Sequence, residues 1–152
     1  MKLIELAVPT LVVRSGMTLR EVFRECVRCN VGGLPYADVE GRICGRVSLR
    51  HIVKHTCIPD FLVGAADYLG DNIDNVDLPE ARRRAILAEE ASGYVLESRA
   101  TISAGSPLIK GLAIMERYNS SYLFLVDAGE YRGVVTRMAI VGCMLARDEE
   151  GA

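Results

Sequence analysis

The stretches "GRVSLRHIV" (residues 45–53) and "GVVTRMAIV" (residues 133–141) decide the fold, because they are two versions of one strand-to-helix junction. Each begins with a glycine, places a hydroxyl residue at its fourth position and continues into apolar residues, with a basic residue at the fifth or sixth. The two hydroxyls are Ser48 and Thr136, which lie 136 − 48 = 88 positions apart. A junction that occurs twice predicts an internal repeat.

The residues upstream of each junction extend the repeat. "MTLREVFRECVRCNVGGLPYADVEGRICGRVS" occupies residues 17–48, and "SPLIKGLAIMERYNSSYLFLVDAGEYRGVVT" occupies residues 106–136. The two stretches match at an offset of 89 as far as Asp38 and Asp127, and of 88 beyond the hairpin, because the first turn carries one extra residue. The sequence therefore predicts the order helix–strand–strand–helix in each unit.

Capping and turn residues support this order of elements. Thr18 with Glu21 forms a capping box, and Ser106 followed by Pro107 predicts an N-cap with proline at the first helical position. The sequence predicts strands at four stretches: LPYAD, ICGRVS, YLFLVD and YRGVVT. The stretches LAVPTLVV and YVLES supply an extended segment before each unit, and IPDFLVGAADYLG and LPEARRRAILAEEASG read as linking helices, the second ending near Gly93.

Composition bounds the class of protein. Half of the 152 residues are hydrophobic, which excludes an intrinsically disordered chain. The net charge of −2 gives no basic surface for nucleic acid, so we expect no nucleic-acid partner. No 18-residue apolar stretch occurs, so we expect no membrane association. Five cysteines without framework spacing indicate reduced thiols, and we expect a cytoplasmic protein.

The repeated combination resembles a tandem cystathionine-β-synthase (CBS) domain pair, or Bateman module, over roughly residues 8–55 and 94–145. The resemblance implies an α/β fold of two pseudo-symmetric βαββα repeats packed sheet to sheet, with a helical linker. The expected division is repeat 1 at residues 1–56, the linker at 57–93 and repeat 2 at 94–152. The family also implies a homodimer, and its protein partner is not encoded here.

The resemblance further implies a non-catalytic regulatory module that binds an adenosine-containing nucleotide between the repeats. AMP, ADP, ATP or S-adenosylmethionine is expected as a regulatory ligand, and no cofactor is required. Ser48 and Thr136 match the family's phosphate-side hydroxyl, where a helix N-terminus suits an anion. Arg137 follows Thr136 directly and favours the second cleft. Arg50 is its weaker analogue in the first repeat.

The sequence departs from the family at the ribose. The family places an acid three residues after the hydroxyl, and here those positions hold His51 and Ala139. Tyr122 or Ser103 is an alternative ribose contact, and Tyr122 and Tyr36 either stack on a base or cover a sheet edge. The expected ligand-binding residues are Thr136, Arg137, Tyr122, Ser103, Ser48, Arg50 and His51. The missing acid also favours an alternative, a structural or protein-interaction dimerisation module without a small-molecule ligand.

Two cysteine and histidine patterns allow a third hypothesis, a metal-binding module. His51 and His55 share one helix face at i and i+4, and Cys26 and Cys29 form C-x-x-C. However, Cys26 falls on an apolar stripe, which favours a buried small side chain. We also predict core positions for Cys44 and Cys143. No catalytic constellation is recognisable, so no catalytic residue, no metal and no enzymatic activity are expected.

Overall fold

The computed structural model describes residues 2–73, 77–98 and 101–151. In these residues the chain forms helices and strands in the order that the repeat predicts. The helices are α1 (Leu19–Cys29), α2 (Leu49–Thr56), α3 (Asp60–Gly64), α4 (Glu80–Ala88), α5 (Leu108–Arg117) and α6 (Arg137–Gly151), and the strands are β1 (Gly33–Ala37), β2 (Ile43–Ser48), β3 (Thr101–Ile102), β4 (Tyr122–Asp127) and β5 (Glu130–Thr136). None of the described helices has the length and apolar character needed to cross a membrane.

Strand register confirms the repeat residue by residue. Strands β1 and β2 form an antiparallel pair in which Gly33 faces Ser48, and β4 and β5 form a second antiparallel pair in which Tyr122 faces Thr136. Each pair has a register shift at the equivalent place, next to its hairpin turn. The first turn has one residue more than the second, which explains why the repeat offset changes from 89 to 88.

Helix ends also repeat. At the start of α1 the Thr18 side chain accepts from the Glu21 N–H and the Glu21 side chain accepts from the Thr18 N–H, which confirms the predicted capping box. Beyond the end of α1, Asn30 has φ 53°, and beyond α5, Asn119 has φ 49°. Asparagine tolerates this left-handed conformation better than most residues. The two turns that lead from helix to strand are therefore equivalent.

The predicted N-cap of α5 is wrong. The N-cap is Pro107, with no side-chain hydrogen bond, and the Ser106 hydroxyl lies 2.9 Å from the Ser103 hydroxyl instead. The Ser106 N–H donates to the Ser103 carbonyl at 3.1 Å. The Ser106 hydroxyl therefore contacts Ser103 within this turn and does not cap α5.

Each repeat pairs with a segment from the N-terminal part of the other repeat. Val8 forms an antiparallel bridge with Val134, and Leu96 forms the equivalent bridge with Arg46. Only a glycine fits beneath these segments: a Cβ on Gly45 would lie 2.7 Å from the Leu96 carbonyl oxygen. YVLES therefore bridges to the first repeat, whereas the strand that pairs with β4 in parallel is β3.

The core joins the two sheets. One cluster of buried side chains contains Leu34 and Val47 from β1 and β2 together with Phe124 and Val134 from β4 and β5. This one apolar cluster contains side chains from both β-hairpins, so the two sheets pack face to face and each buries one of its faces. A second cluster surrounds Leu3 and the α5 side of β4.

Two further details differ from the sequence prediction. Helix α4 ends at Ala88 rather than near Gly93, and a 3-10 turn, Ala91–Tyr94, follows it. Cys44 is exposed on β2 and Cys143 is half-buried, so the prediction of core positions for these two cysteines is wrong. Side chains alternate between the two faces of a strand, so Cys44 lies on the face opposite to that of its buried neighbour Gly45.

Candidate functional site

A cleft of about 550 Å³ opens between the two repeats. One wall is the β2–α2 junction of the first repeat, and the other is the turn from α5 to β4 of the second repeat. Clefts of this volume are typical of small-molecule sites. Its lining consists of Gly32, Arg46, Ser48, Leu49, Arg50, His51, Lys54, Leu96, Tyr118, Asn119, Ser120, Ser121 and Tyr122.

Ser48 lies where β2 ends and α2 begins, and it is buried. Its hydroxyl makes no capping hydrogen bond to the helix. The Leu49 N–H donates to the Gly32 carbonyl at 2.9 Å, which fixes the junction to the residue that precedes β1. The next N–H groups of the first helical turn have no partner within the helix. The junction therefore presents a hydroxyl and amide donors to the cleft.

Arg46 lies two residues before Ser48 on β2 and thus on the same face of the strand. Its guanidinium donates to the Tyr122 hydroxyl at 3.1 Å and to the Glu97 carbonyl at 3.3 Å. Both contacts come from the second repeat. Arg46 thereby places a fixed positive charge at the boundary of the two repeats.

Three further basic residues come from α2. Arg50, His51 and Lys54 are spaced at i, i+1 and i+4, which places them on one side of the helix. Burial, together with the nearby charges of His55, Arg46 and Lys54, lowers the pKa of His51 below its ordinary value of 6.5. His51 is therefore neutral at neutral pH in the ligand-free protein, and an anion beside it would raise its pKa.

Two tyrosines of the second repeat border the cleft. Tyr122 is only 6% exposed, and Tyr118, next to the end of α5, is 44% exposed. The exposed Tyr118 ring is available to a planar group, whereas the Tyr122 hydroxyl already holds Arg46. Tyr36, the other tyrosine considered as a base-stacking residue, packs half-buried against the core cluster that joins the sheets.

The structure brings four of the seven predicted ligand-binding residues to this cleft: Ser48, Arg50, His51 and Tyr122. The other three are not lining residues of this cleft. The Thr136 hydroxyl accepts from the Ala139 N–H at 3.1 Å and so caps its own helix, and Arg137 donates to the Ser120 carbonyl at 3.1 Å. Ser103 lies in the turn before α5, beside Ser106.

The positions of the second repeat that correspond to the basic lining carry no charge. Strand register makes Val134 the equivalent of Arg46, since Pro35 pairs with Arg46 and Phe124 pairs with Val134. Continuing at the offset of 88, the equivalents of Arg50, His51 and Lys54 are Met138, Ala139 and Gly142. The repeats thus share a backbone but not the chemistry of this wall.

The thiols and histidines do not form a metal centre in the described part of the chain. No group of three or more His, Cys, Asp or Glu side chains there is close enough to hold a metal ion. His51 and His55 form a pair with ring centroids 4.4 Å apart. Burial raises the pKa of the Cys26 thiol to about 12, so that this side chain is protonated at neutral pH.

Sequence reasoning missed Arg46, Lys54 and Tyr118. A signal existed for the first two, because Arg46 alternates with Ser48 on a strand and Lys54 follows Arg50 at i+4. No sequence signal indicated Tyr118, since only the packing of one repeat on the other places it in the same cleft as Ser48. Its repeat equivalent, Cys29, has no comparable side chain.

Comparison with known proteins identifies the fold. The model of the CBS domain family matches residues 94–146. The solved CBS domain of a CBS domain-containing membrane protein from Sphaerobacter thermophilus aligns with a TM-score of 0.66 and 21% identity, covering 93% of this chain and 86% of that chain. A CBS domain-containing protein of unknown function from Kribbella flavida aligns with a TM-score of 0.65 and 15% identity, covering 95% and 99%.

A third structure is that of the CBS domain pair of protein MJ0100, in complex with 5′-methylthioadenosine and S-adenosyl-L-methionine. It aligns with a TM-score of 0.63 and 15% identity, covering 97% of this chain and 98% of that chain. No curated protein sequence matches the chain. The expected α/β architecture of two packed repeats is confirmed: residues 94–146 match the CBS domain family model, and the fold of the chain is similar to that of solved CBS domain pairs.

Proposed function

We propose that this chain is a non-catalytic regulatory module that binds an adenosine-containing nucleotide in the cleft at Ser48. In this proposal the repeats at residues 1–56 and 94–152, joined by the segment 57–93, act as one ligand-binding unit. The observation that carries the proposal is the cleft itself, which lies between the repeats and combines a helix N-terminus with a wall of basic side chains. Phosphate groups suit such a site, because both the amides and the charges attract an anion.

Contacts from both repeats give the cleft a means of regulation. Ser48, Arg50 and Lys54 belong to the first repeat, whereas Tyr118 and Tyr122 belong to the second. A ligand that touches both walls favours the packing of the repeats that makes both contacts, and so shifts the population of conformations. The adenosine compounds in the solved structure of the MJ0100 pair support adenosine as part of the ligand.

Isothermal titration calorimetry on the full chain tests the proposal, with AMP, ADP, ATP and S-adenosylmethionine as titrants. GTP serves as the matched control for the base. We expect an adenine nucleotide to bind, to bind more tightly than its guanine counterpart, and to weaken when Ser48 is replaced by alanine. Equal affinity for ATP and GTP would overturn the adenosine part of the proposal.

A second candidate function, a dimerisation module, is favoured by one exposed helix face. On α6 the side chains of Met138, Met144 and Leu145 are 74%, 60% and 62% exposed. Exposed apolar residues that cluster on one side of a helix are typical of interaction surfaces. We therefore propose that the module is a homodimer and that α6 contributes to the interface.

Sedimentation velocity tests the dimer. The wild-type chain is expected to sediment as a dimer, and Met144→Lys is expected to shift it toward the monomer. Lys110→Glu, an exposed charge change on α5, is the control and should leave the sedimentation coefficient unchanged. A monomeric wild-type chain at micromolar concentration would contradict the proposal.

A further inference from the structure

We infer that the cleft at Ser48 selects its ligand by a chain of two or more phosphates rather than by the ribose, and that each chain binds one such nucleoside di- or triphosphate. This inference deepens the proposed function and rests on it for the choice of cleft. Three features of the structure carry it: the charge of the cleft wall, the length of that wall and the contrast with the other repeat.

The charge of the wall is of one sign. Arg46, Arg50 and Lys54 are cations at neutral pH, and His51 becomes one when an anion raises its pKa. Among the described residues that line the cleft, none is acidic. A positive wall without a carboxylate attracts polyanions and repels a cationic ligand, so it disfavours the sulfonium and amino groups of S-adenosylmethionine.

The length of the wall exceeds what one phosphate can contact. Lys54 lies six residues beyond Ser48, and at 1.5 Å of rise per residue this separates them by about 9 Å along α2. A single phosphate at Ser48 meets the amides of the first helical turn and the Arg46 side of the cleft. A longer phosphate chain extends along α2 toward Lys54, so its outer phosphates lie closer to the ammonium group than a single phosphate at Ser48 does. The wall therefore favours triphosphate over diphosphate, and diphosphate over monophosphate.

The cleft offers no carboxylate to the ribose diol. Carboxylates hold the ribose hydroxyls in many nucleotide sites because they accept two hydrogen bonds. At the corresponding position this chain has His51, and no other described lining residue supplies an acid. Removal of the 2′-hydroxyl should therefore cost less affinity than it does at a site where a carboxylate holds the ribose. A 2′-deoxynucleotide and its ribonucleotide should bind alike.

The second repeat cannot reproduce this site. Val134, Met138 and Gly142 replace the three cations, and the Thr136 oxygen accepts a hydrogen bond from the Ala139 N–H of its own helix. One polyphosphate per chain follows from this asymmetry.

The experiment is isothermal titration calorimetry in buffer without divalent cations. The titrants are AMP, ADP, ATP, dATP and inorganic tripolyphosphate. Lys54→Ala is compared with Lys110→Ala, which removes the same charge from an exposed helix outside the cleft. We expect affinity to rise from AMP to ATP, dATP to match ATP within about twofold, and one site per chain. Lys54→Ala should weaken ATP about threefold to fivefold and AMP by less, as for an exposed charge contact, with no change for Lys110→Ala.

The outcomes separate this inference from the proposed function. If AMP binds as tightly as ATP, or dATP binds much more weakly than ATP, phosphate-chain selection is wrong while nucleotide binding stands. If tripolyphosphate binds as tightly as ATP, selection by phosphate is supported and recognition of adenosine is wrong. Two equivalent sites per chain would refute the asymmetry of the clefts. If none of these compounds binds, both proposals are wrong.

Discussion

Replacing the hydroxyl of each repeat by hydrogen should separate ligand binding from helix capping. Ser48→Ala removes a hydroxyl that makes no capping bond, so the free energy of unfolding should change by less than about 0.5 kcal/mol. Thr136→Ala removes the acceptor of the Ala139 N–H, which should cost about 1 kcal/mol. For a chain of this size, that cost lowers Tm by roughly 2–4 °C.

The effects on ATP binding should be the reverse. A hydrogen bond to a charged phosphate contributes about 1.5–3 kcal/mol, so Ser48→Ala should weaken ATP about tenfold or more. Thr136→Ala should leave the dissociation constant within about twofold, since Thr136 is not a lining residue of the cleft at Ser48. Thermal unfolding without ligand measures the first pair of effects, and calorimetric titration measures the second.

Thr136→Ser is the matched control, because it keeps the capping oxygen and loses only the methyl group. It should retain most of the stability that Thr136→Ala loses. The reasoning would be refuted if Thr136→Ala weakened ATP tenfold while Ser48→Ala had no effect. The functional cleft would then be the one at Thr136 and Arg137, as the sequence alone favoured.

Three further predictions concern packing and protonation. Gly45→Ala should lower the free energy of unfolding by about 1–3 kcal/mol in urea titrations, because the new Cβ meets a backbone oxygen at 2.7 Å. Gly93→Ala is the control: its Cβ has no neighbour within 4 Å, so the free energy of unfolding should change by less than about 0.5 kcal/mol. Glu25→Ala should cost about 1–3 kcal/mol at neutral pH, because the Leu11 N–H loses its acceptor. A hydrogen bond from the neighbouring Arg28 lowers the pKa of Glu25. The stabilisation that ionised Glu25 provides is therefore present above pH 4.5 and is lost as the pH falls through the lowered pKa. The difference in the free energy of unfolding between the wild type and Glu25→Ala should shrink in acid. ATP affinity should rise from about pH 7.5 to about pH 6 as His51 takes up a proton beside phosphate, and His51→Gln should flatten that rise; an unchanged pH dependence in the variant would show that other groups carry it.

Local chemistry explains why much of the fold could be predicted from the sequence. The Thr18–Glu21 capping box depends on residues three apart, and the left-handed turns at Asn30 and Asn119 recur at the same place in each repeat. Such signals act within a few residues, so a single sequence contains them. The resemblance to CBS domain pairs then supplied the face-to-face packing of the sheets, which no local signal specifies.

The choice of cleft could not be predicted in the same way. Ser48 and Thr136 occupy equivalent positions, and only the side-chain geometry shows that one hydroxyl caps its helix while the other does not. The second wall of the cleft, with Tyr118 and Tyr122, comes from the other repeat and depends on tertiary packing. Cys44 illustrates the same limit, because its exposure follows from strand alternation relative to a core that the sequence does not locate.

The two repeats keep their symmetry where they pack and lose it where they face the cleft. Ile52 and Ile140 are equivalent, identical and fully buried, as are Val47 and Val135. By contrast, the cleft-lining residues Arg46, His51 and Lys54 all have uncharged equivalents in the second repeat.

Core positions are held by the same packing in both halves, because a change in side-chain volume there costs stability in either repeat. Exposed residues at the cleft, such as Arg50 and Lys54, lie outside that packing, so these positions can differ without harm to the fold. A ligand bound at one cleft alone would make contacts that the other repeat cannot mirror. It would therefore bias the packing of the repeats in one direction, which is the asymmetry that a regulatory response requires.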